Sequence, residues 1–248
     1  TPDQMLAAAE KVDSGAGVLF IVKNYSGDVM NFEMAAEMLS GPNESVLTND
    51  DVAVEDSSFT TGRRGVAATV VVEKMVGSLA EAGGSLEQCK KLGDKVNQNS
   101  GSMGVAFSSC SVPAAGKPNF EIGDDEMEFG VGIHGEPGRR RDKIKSAQEI
   151  TNELIEAINE DLKPDNNEEI LLFVNGMGGT PLTELYLIFD NAKNILDKKN
   201  IKISRSLVGN YCTSLEMQGA SITLTKLDEE LVKHWDSPVH TAAMRWGV

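Results

Sequence analysis

Two short apolar runs, GVLFIV at 17–22 and ILLFV at 170–174, constrain the fold of this chain more than any other feature. Each is rich in β-branched and aromatic residues, and each is followed by a turn and then by residues at helical spacing. An opening helix at about 2–12 precedes the first run, with TPDQ at its start as a cap, Pro2 at the first helical position and Gln4 able to close a capping box. The run itself leads through the turn KNYSGD into VMNFEMAAEML, where Val29, Phe32, Ala36 and Leu39 recur with a helical period. SVLTNDDVAV suggests short strands and a loop. GVAATVVVEKMVGSLAEA and SLEQCKKLGDKVNQ read as helices, the first apolar on most faces and hence buried. Alternating strand and helix predict an α/β layered domain with a largely parallel sheet over residues 1–100.

The polar, glycine-rich NQNSGSMG at 97–104 marks the expected boundary. Beyond it VAFSSCSV, PNFEI and MEFGVGI read as strands, SAQEITNELIEAINEDL as an amphipathic helix and EEILLFV as a strand. TPLTELYLIFDNAKNILDKK reads as a helix capped by Thr180 with Pro181 at its first position, before strands at about 202–208 and 221–226. This pattern predicts a smaller α+β domain over 101–248 with helices on one sheet face, its last residues packing back on the first domain. A chain of 248 residues, 40 % hydrophobic and 25 % charged, suits one large or two modest cores.

Several functions are disfavoured. No apolar run approaches the length of a membrane span, and no leader precedes the first strand. A net charge of -15 repels a phosphate backbone, and the basic run Arg139–Arg141 with Lys143 and Lys145 is too small to reverse that, so no nucleic-acid partner is expected. Cys89, Cys110 and Cys212 form no paired spacing, and the three histidines at 134, 234 and 240 lack metal-ligand spacing. A cytoplasmic protein without a metal is expected. Thr1 is not a methionine, which leads us to expect that the chain begins inside a longer gene product.

The motifs open alternatives. His134 stands between glycines in VGIHGEPGRRR, either clear at the mouth of a cavity or as a turn histidine with its nitrogens bound to backbone. GVGIHG matches the dinucleotide pattern by letter, but Pro137 and Gly138 oppose the helix that the pattern requires. NGMGGTP lacks the lysine of a phosphate loop. KNYSGD puts Lys23, Asn24, Tyr25 and Asp28 past the end of a parallel-type strand, where open α/β sheets hold ligands; alternatively Asp28 caps a helix starting near Val29 and Lys23 is solvated. Arg63 and Arg64 of TGRRG suit an anion, or a salt bridge between domains or subunits. GDDEMEF lacks the ligand periodicity of a calcium loop and reads as a solvated turn.

Five segments in order resemble the dihydroxyacetone-binding subunit of the dihydroxyacetone kinases: GVLFIVKNYSGDVMNFEMAAEML, DDVAVEDSSFTTGRRGVAATVVVEK, SCSVPAAGKPNFEIGDDEMEFGVGIHGEPG, VNGMGGTPLTELY and GNYCTSLEMQGASITLTKLDEE. The resemblance implies that His134 holds the ketone carbon of dihydroxyacetone covalently as a hemiaminal, that Asp28 assists proton removal from the reacting hydroxyl and that Lys23 contacts the substrate. Members of the family carry a further N-terminal segment, with a glycine-rich loop and an acid/base histidine, that nothing in these residues matches. The end at MRWGV implies the form in which a separate ADP-carrying subunit, charged through the phosphoenolpyruvate-dependent phosphotransferase system, donates the phosphoryl group. No cofactor is then expected on this chain, with ADP and magnesium on the donor subunit, and a homodimer is implied. The alternative is a silent paralogue that binds dihydroxyacetone to control a transcriptional regulator.

Overall fold

A computed structural model describes residues 1–53, 62–136 and 138–247. Val54, Thr61 and Pro137, used above in a strand, an anion motif and a helix-breaking argument, lie outside the described residues. The chain divides into two compact units, one of Thr1–Asp50, Asp56–Gln98 and Glu229–Val248, the other of Asp51–Glu55 and Asn99–Asp228.

The first unit contains α1 (Pro2–Val12), β1 (Val18–Lys23), α2 (Ser26–Met38), β2 (Asn43–Thr48), α3 (Ala68–Glu81) and α4 (Leu86–Gln98). The second contains β3 (Ser100–Ala106), β4 (Glu126–Phe129), β5 (Arg140–Lys143), α5 (Ala147–Leu162), β6 (Glu169–Gly176), α6 (Leu182–Lys198), β7 (Lys202–Gly209) and β8 (Gly219–Lys226). The chain ends with α7 (Glu229–Asp236) and the short strands β9 (Val239–His240) and β10 (Arg245–Trp246), which belong to the first unit.

In the first unit β1 and β2 pair in parallel, from Val18 opposite Asn43 to Lys23 opposite Thr48. The helical period of α2 lays Val29, Phe32, Ala36 and Leu39 against Ala9, Val18, Phe20 and Val22, with the Phe20 and Phe32 rings edge to face at 5.7 Å. α3 buries Val71, Val72 and Met75 completely, as its nearly continuous apolar surface requires. Its first turn is capped from a distance: the buried Asp50 carboxylate accepts from the Val66 and Ala68 amides, each at 2.9 Å, two donors near the start of the helix. Gly65 permits this approach, because a Cβ there would lie 2.4 Å from the Thr48 carbonyl oxygen.

The second unit is built on a six-stranded mixed sheet in the order β5-β4-β3-β8-β6-β7. Only β6 and β7 among these neighbours are parallel. Ile170, Leu172 and Val174 of β6 point to the same side as Met103, Ile222 and Leu224, and there they meet Leu154 and Ile158 of α5 and Leu185 and Leu196 of α6. The expected arrangement of helices on a sheet face is thus present. α5 starts with a reciprocal cap in which Ser146 Oγ accepts from the Glu149 amide at 3.3 Å while the Glu149 carboxylate accepts from the Ser146 amide at 3.0 Å.

The chain passes from one unit to the other between Gln98 and Asn99, within NQNSGSMG, and the residues that follow are strand: β3 is buried along its whole length, with hydroxyl pairs Ser100–Thr225 at 2.8 Å and Ser102–Thr223 at 2.7 Å. Three local expectations need correction. PNFEI forms no strand; Pro118 makes an isolated bridge to Ser111. α6 begins one residue after Pro181, and Thr180 instead bonds both the amide and the carbonyl of Gly219 at 2.8 Å. The second unit, expected to be the smaller, carries the larger of the two main sheets, to which β3 and β5 contribute despite their serine, glycine and arginine content.

Candidate active site

The His134 turn is assembled from the residues that leave β4. Gly130 turns the chain with φ +77° and donates to the Gly104 carbonyl at 2.7 Å. Val131 and Ile133 are then buried while the His134 side chain is 56 % exposed, so the turn anchors itself through its neighbours and offers the imidazole to solvent. Gly132 donates to the Glu136 carbonyl at 3.1 Å, and Gly135, at φ +76°, donates back to Gly132 at 3.2 Å. A Cβ on Gly138 would lie 2.0 Å from the Phe129 carbonyl oxygen, so only glycine lets the chain close behind the turn.

Glu136 is the residue the sequence reading missed. Its buried carboxylate takes both ends of His134: Oε2 accepts the His134 amide at 3.0 Å, and Oε1 lies 3.0 Å from Nδ1. Burial pulls this carboxyl upward, but the hydrogen bond from the His134 ring and the backbone amides outweigh it and hold the group below the usual carboxylate range. An ionised carboxylate only accepts, so Nδ1 is the nitrogen that donates to it, and in the neutral form of the ring the lone pair lies on Nε2. The H-x-E spacing in GIHGEPG was the available signal. Two readings were open for His134, the mouth of a cavity or a turn with its nitrogens bound to backbone; the ring is exposed, and its Nδ1 faces a carboxylate and not a backbone group.

Of the arginines that follow, Arg139 bonds backbone carbonyls, and Arg140 and Arg141 pair with carboxylates. Arg139 Nη2 donates to the Val52 carbonyl at 2.8 Å; Arg140 pairs with Asp142 and Glu153; Arg141 Nε meets Glu128 at 3.1 Å. Asp125 of GDDEMEF pairs with Lys143, while Met127 and Glu128 of the same segment are buried in β4.

Lys23 and Asp28 lie in the first unit, His134 in the second. Lys23 is the last, half-buried residue of β1, and its ammonium acts on Glu73, whose carboxyl burial raises and Lys23 lowers, leaving it above the usual range. Asp28 is not the cap of a helix starting near Val29: α2 begins at Ser26, after Tyr25, and Asp28 is a half-buried residue of its first turn. Negative charge is favoured there by the helix dipole. Asn24 Nδ2 donates to the Arg63 carbonyl at 2.8 Å, joining KNYSGD to the arginine motif. Arg64 is fully buried. His234 is buried in α7 and pairs with Ser78 Oγ at 3.1 Å. Among the described residues no group of three histidine, cysteine or acidic side chains could hold a metal ion. A groove of about 500 Å³ between α5 and α6, lined by Glu149, Glu156, Ile195 and Lys199 among others, contains none of the three expected site residues.

Residues 1–243 match the family model of the Dak1 domain. The chain belongs to the Dak1 family. The dihydroxyacetone-binding subunit of the PTS-dependent dihydroxyacetone kinase 1 of Listeria innocua is 49 % identical over 247 residues, covering 98 % of this chain and 75 % of the relative. The corresponding subunit of the PEP-dependent enzyme of Escherichia coli is 44 % identical over 274 residues, covering all of this chain and 77 % of the relative. Among solved structures, a dihydroxyacetone kinase operon co-activator superposes with a TM-score of 0.89 at 30 % identity, over 96 % of this Dak1 chain and 75 % of its own. The dihydroxyacetone kinase of C. freundii with AMP-PNP and Mg2+ superposes with a TM-score of 0.85 at 29 % identity, over 94 % of this chain and 43 % of its own. The family expected from the five sequence blocks is therefore the family found.

Proposed function

We propose that this chain is the dihydroxyacetone-binding subunit of a phosphoenolpyruvate-dependent dihydroxyacetone kinase, a phosphotransferase, and that it holds dihydroxyacetone as a hemiaminal on His134. The observation that supports the covalent step is the Nδ1 to Glu136 Oε1 distance of 3.0 Å, which favours the tautomer with its proton on Nδ1 and its lone pair on Nε2. The Nε2 lone pair adds to the ketone carbon, the C=O π pair moves to oxygen, that oxygen takes a proton from water, and the positive charge left on the ring faces the Glu136 carboxylate. Glycerol offers no electrophilic carbon and is rejected by the same chemistry. A tethered substrate also keeps its hydroxyl in place, and orientation contributes up to roughly 7–11 kcal/mol in ideal cases.

Asp28 then acts as the carboxylate that orients the reacting hydroxyl and accepts its proton, and Lys23 contacts the substrate. The phosphoryl group comes from a separate subunit that carries ADP and magnesium, and no cofactor is bound here. The protein works as a cytoplasmic homodimer without nucleic acid or membrane; no helix among the described residues is long and apolar enough to cross a bilayer.

A silent ligand-binding role in transcriptional control is the second reading, favoured by the likeness to the operon co-activator. The kinase reading is preferred because kinase subunits reach 41–49 % identity against 30 % for that protein, and because Asp28 is present. Replacing Asp28 by Asn separates the two. A kinase keeps its bound ketone and loses about 10²-fold or more of its turnover with the charged donor subunit; a silent binder shows no turnover before or after the change.

A further inference from the structure

Beneath the His134 turn lies a small core of Ala106, Cys110, Val131, Met177 and Met217, with Phe120 packed on it. One polar side chain bridges this core and the turn. Asn119 Nδ2 donates one hydrogen to the His134 carbonyl at 3.0 Å and the other to Cys110 Sγ at 3.3 Å. The Cys110 sulfur also accepts from Ser214 Oγ at 3.4 Å, and the Asn119 amide donates to the Cys110 carbonyl at 3.0 Å. A Cβ on Gly135 would stand 3.3 Å from Asn119 Nδ2 and 3.5 Å from Cys110 Sγ, so the turn rests directly on this pair.

We propose that Asn119, anchored on Cys110, is a positioning residue for His134: it holds the His134 carbonyl while Glu136 holds the amide and the ring. The division of labour follows from the atoms. Glu136 can orient the imidazole only while the His134 backbone stays fixed, since both carboxylate oxygens are spent on one residue. Asn119 supplies the opposing restraint on the same residue, and because both hydrogens of its amide are used, it cannot swing away without losing two bonds. A buried sulfur that accepts hydrogen bonds and packs in an apolar cluster gives the restraint a rigid footing.

Nitrogen-15 NMR of the histidine rings tests this in the ligand-free protein, and carbon-13 NMR of ketone-labelled dihydroxyacetone tests it in the complex. In the unmutated protein the His134 ring is expected in the Nδ1–H form. Asn119→Ala should shift it toward a mixture of tautomers and weaken dihydroxyacetone binding about fivefold or more, the scale of one positioning hydrogen bond. Asn119→Asp should be worse, because a carboxylate would face two acceptors. Cys110→Ala should act in the same direction, and the double variant Cys110→Ala/Asn119→Ala should be no worse than the more damaged single one if the two act as a unit. A merely structural role predicts a lower melting temperature with the tautomer and affinity of the folded protein unchanged, and that result overturns the proposal. The inference rests on His134 as the partner of the ketone. If the unmutated protein gave no tetrahedral carbon signal, that reading would fail, while the ligand-free tautomer would still decide for or against Asn119.

Discussion

At the scale of single residues, two carboxylates, Glu136 and Asp28, have different tasks in the proposed chemistry. Glu136 fixes a tautomer, so Glu136→Gln should keep the shape of the turn yet put an amide NH₂ where one of two donors must be received. Dihydroxyacetone affinity, measured calorimetrically, should fall tenfold or more, as expected for losing a hydrogen bond to a charged group; unchanged affinity would remove Glu136 from the chemistry. The sign of its pH effect follows from the direction of its shift. A carboxyl held below 4.5 in the folded chain adds stability that is complete above that value and disappears as the pH falls through the depressed one. Asp28 can be probed separately. Since α2 starts before it, Asp28→Asn should cost little stability, and turnover within about threefold of the unmutated protein would leave it as a first-turn charge only. His134, Asp28 and Lys23 could be proposed for the site because the motifs GIHGEPG and KNYSGD that contain them carry the resemblance to the family. Glu136 escaped although its H-x-E spacing from His134 was visible, because that spacing alone does not mark the glutamate as buried.

At the scale of elements, hydrophobic period was a reliable guide wherever one face of a helix meets a core. α1, α2, α3, α4 and α5 lie close to where their patterns put them, and Val29, Phe32, Ala36 and Leu39 pack as their spacing required. Failures cluster where tertiary packing overrides composition. Ser100, Gly101, Ser102 and Gly104 look like a linker, yet in β3 hydroxyls pair across the sheet and glycines accept close neighbours; a Cβ on Gly104 would come within 2.6 Å of the Met177 methyl. β5 was hard to read because, besides Asp142 within it, the carboxylates that pair with its arginines, Glu153 and Glu128, come from other segments. Two substitutions rank these effects. Leu172→Ala, in the fully buried centre of β6, should cost about 2–5 kcal/mol in chemical denaturation, whereas Ser146→Ala at the start of α5 should cost about 1 kcal/mol. A Ser146 variant as damaging as the Leu172 variant would contradict the view that packing dominates this unit.

At the scale of the whole molecule, the last residues of the chain tie into the first unit around a buried lysine. Lys74 Nζ donates to the His234 carbonyl at 2.9 Å and lies 5.3 Å from the centre of the Trp246 ring, which itself packs on Trp235. Burial pushes the His234 imidazole below its ordinary 6.5, helped by Lys233 and Lys74 and opposed by Glu230. Between the depressed folded value and 6.5 the unfolded chain therefore binds the extra proton, so stability rises with pH through that window and is lost as acid is added. Melting temperatures of the unmutated protein and His234→Gln should converge or change order as the pH falls below 6.5; parallel curves would show that His234 does not titrate on unfolding. A net charge of -15 bears on solubility and partners more than on the fold, and it leaves a small neutral ketone as a ligand that needs no electrostatic attraction. The covalent bond to that ketone is the central claim, and a crystal structure with dihydroxyacetone addresses it most directly. Density should run unbroken from His134 Nε2 to a tetrahedral substrate carbon and be missing in His134→Ala; a planar ketone lying free beside an unmodified His134 would contradict the account.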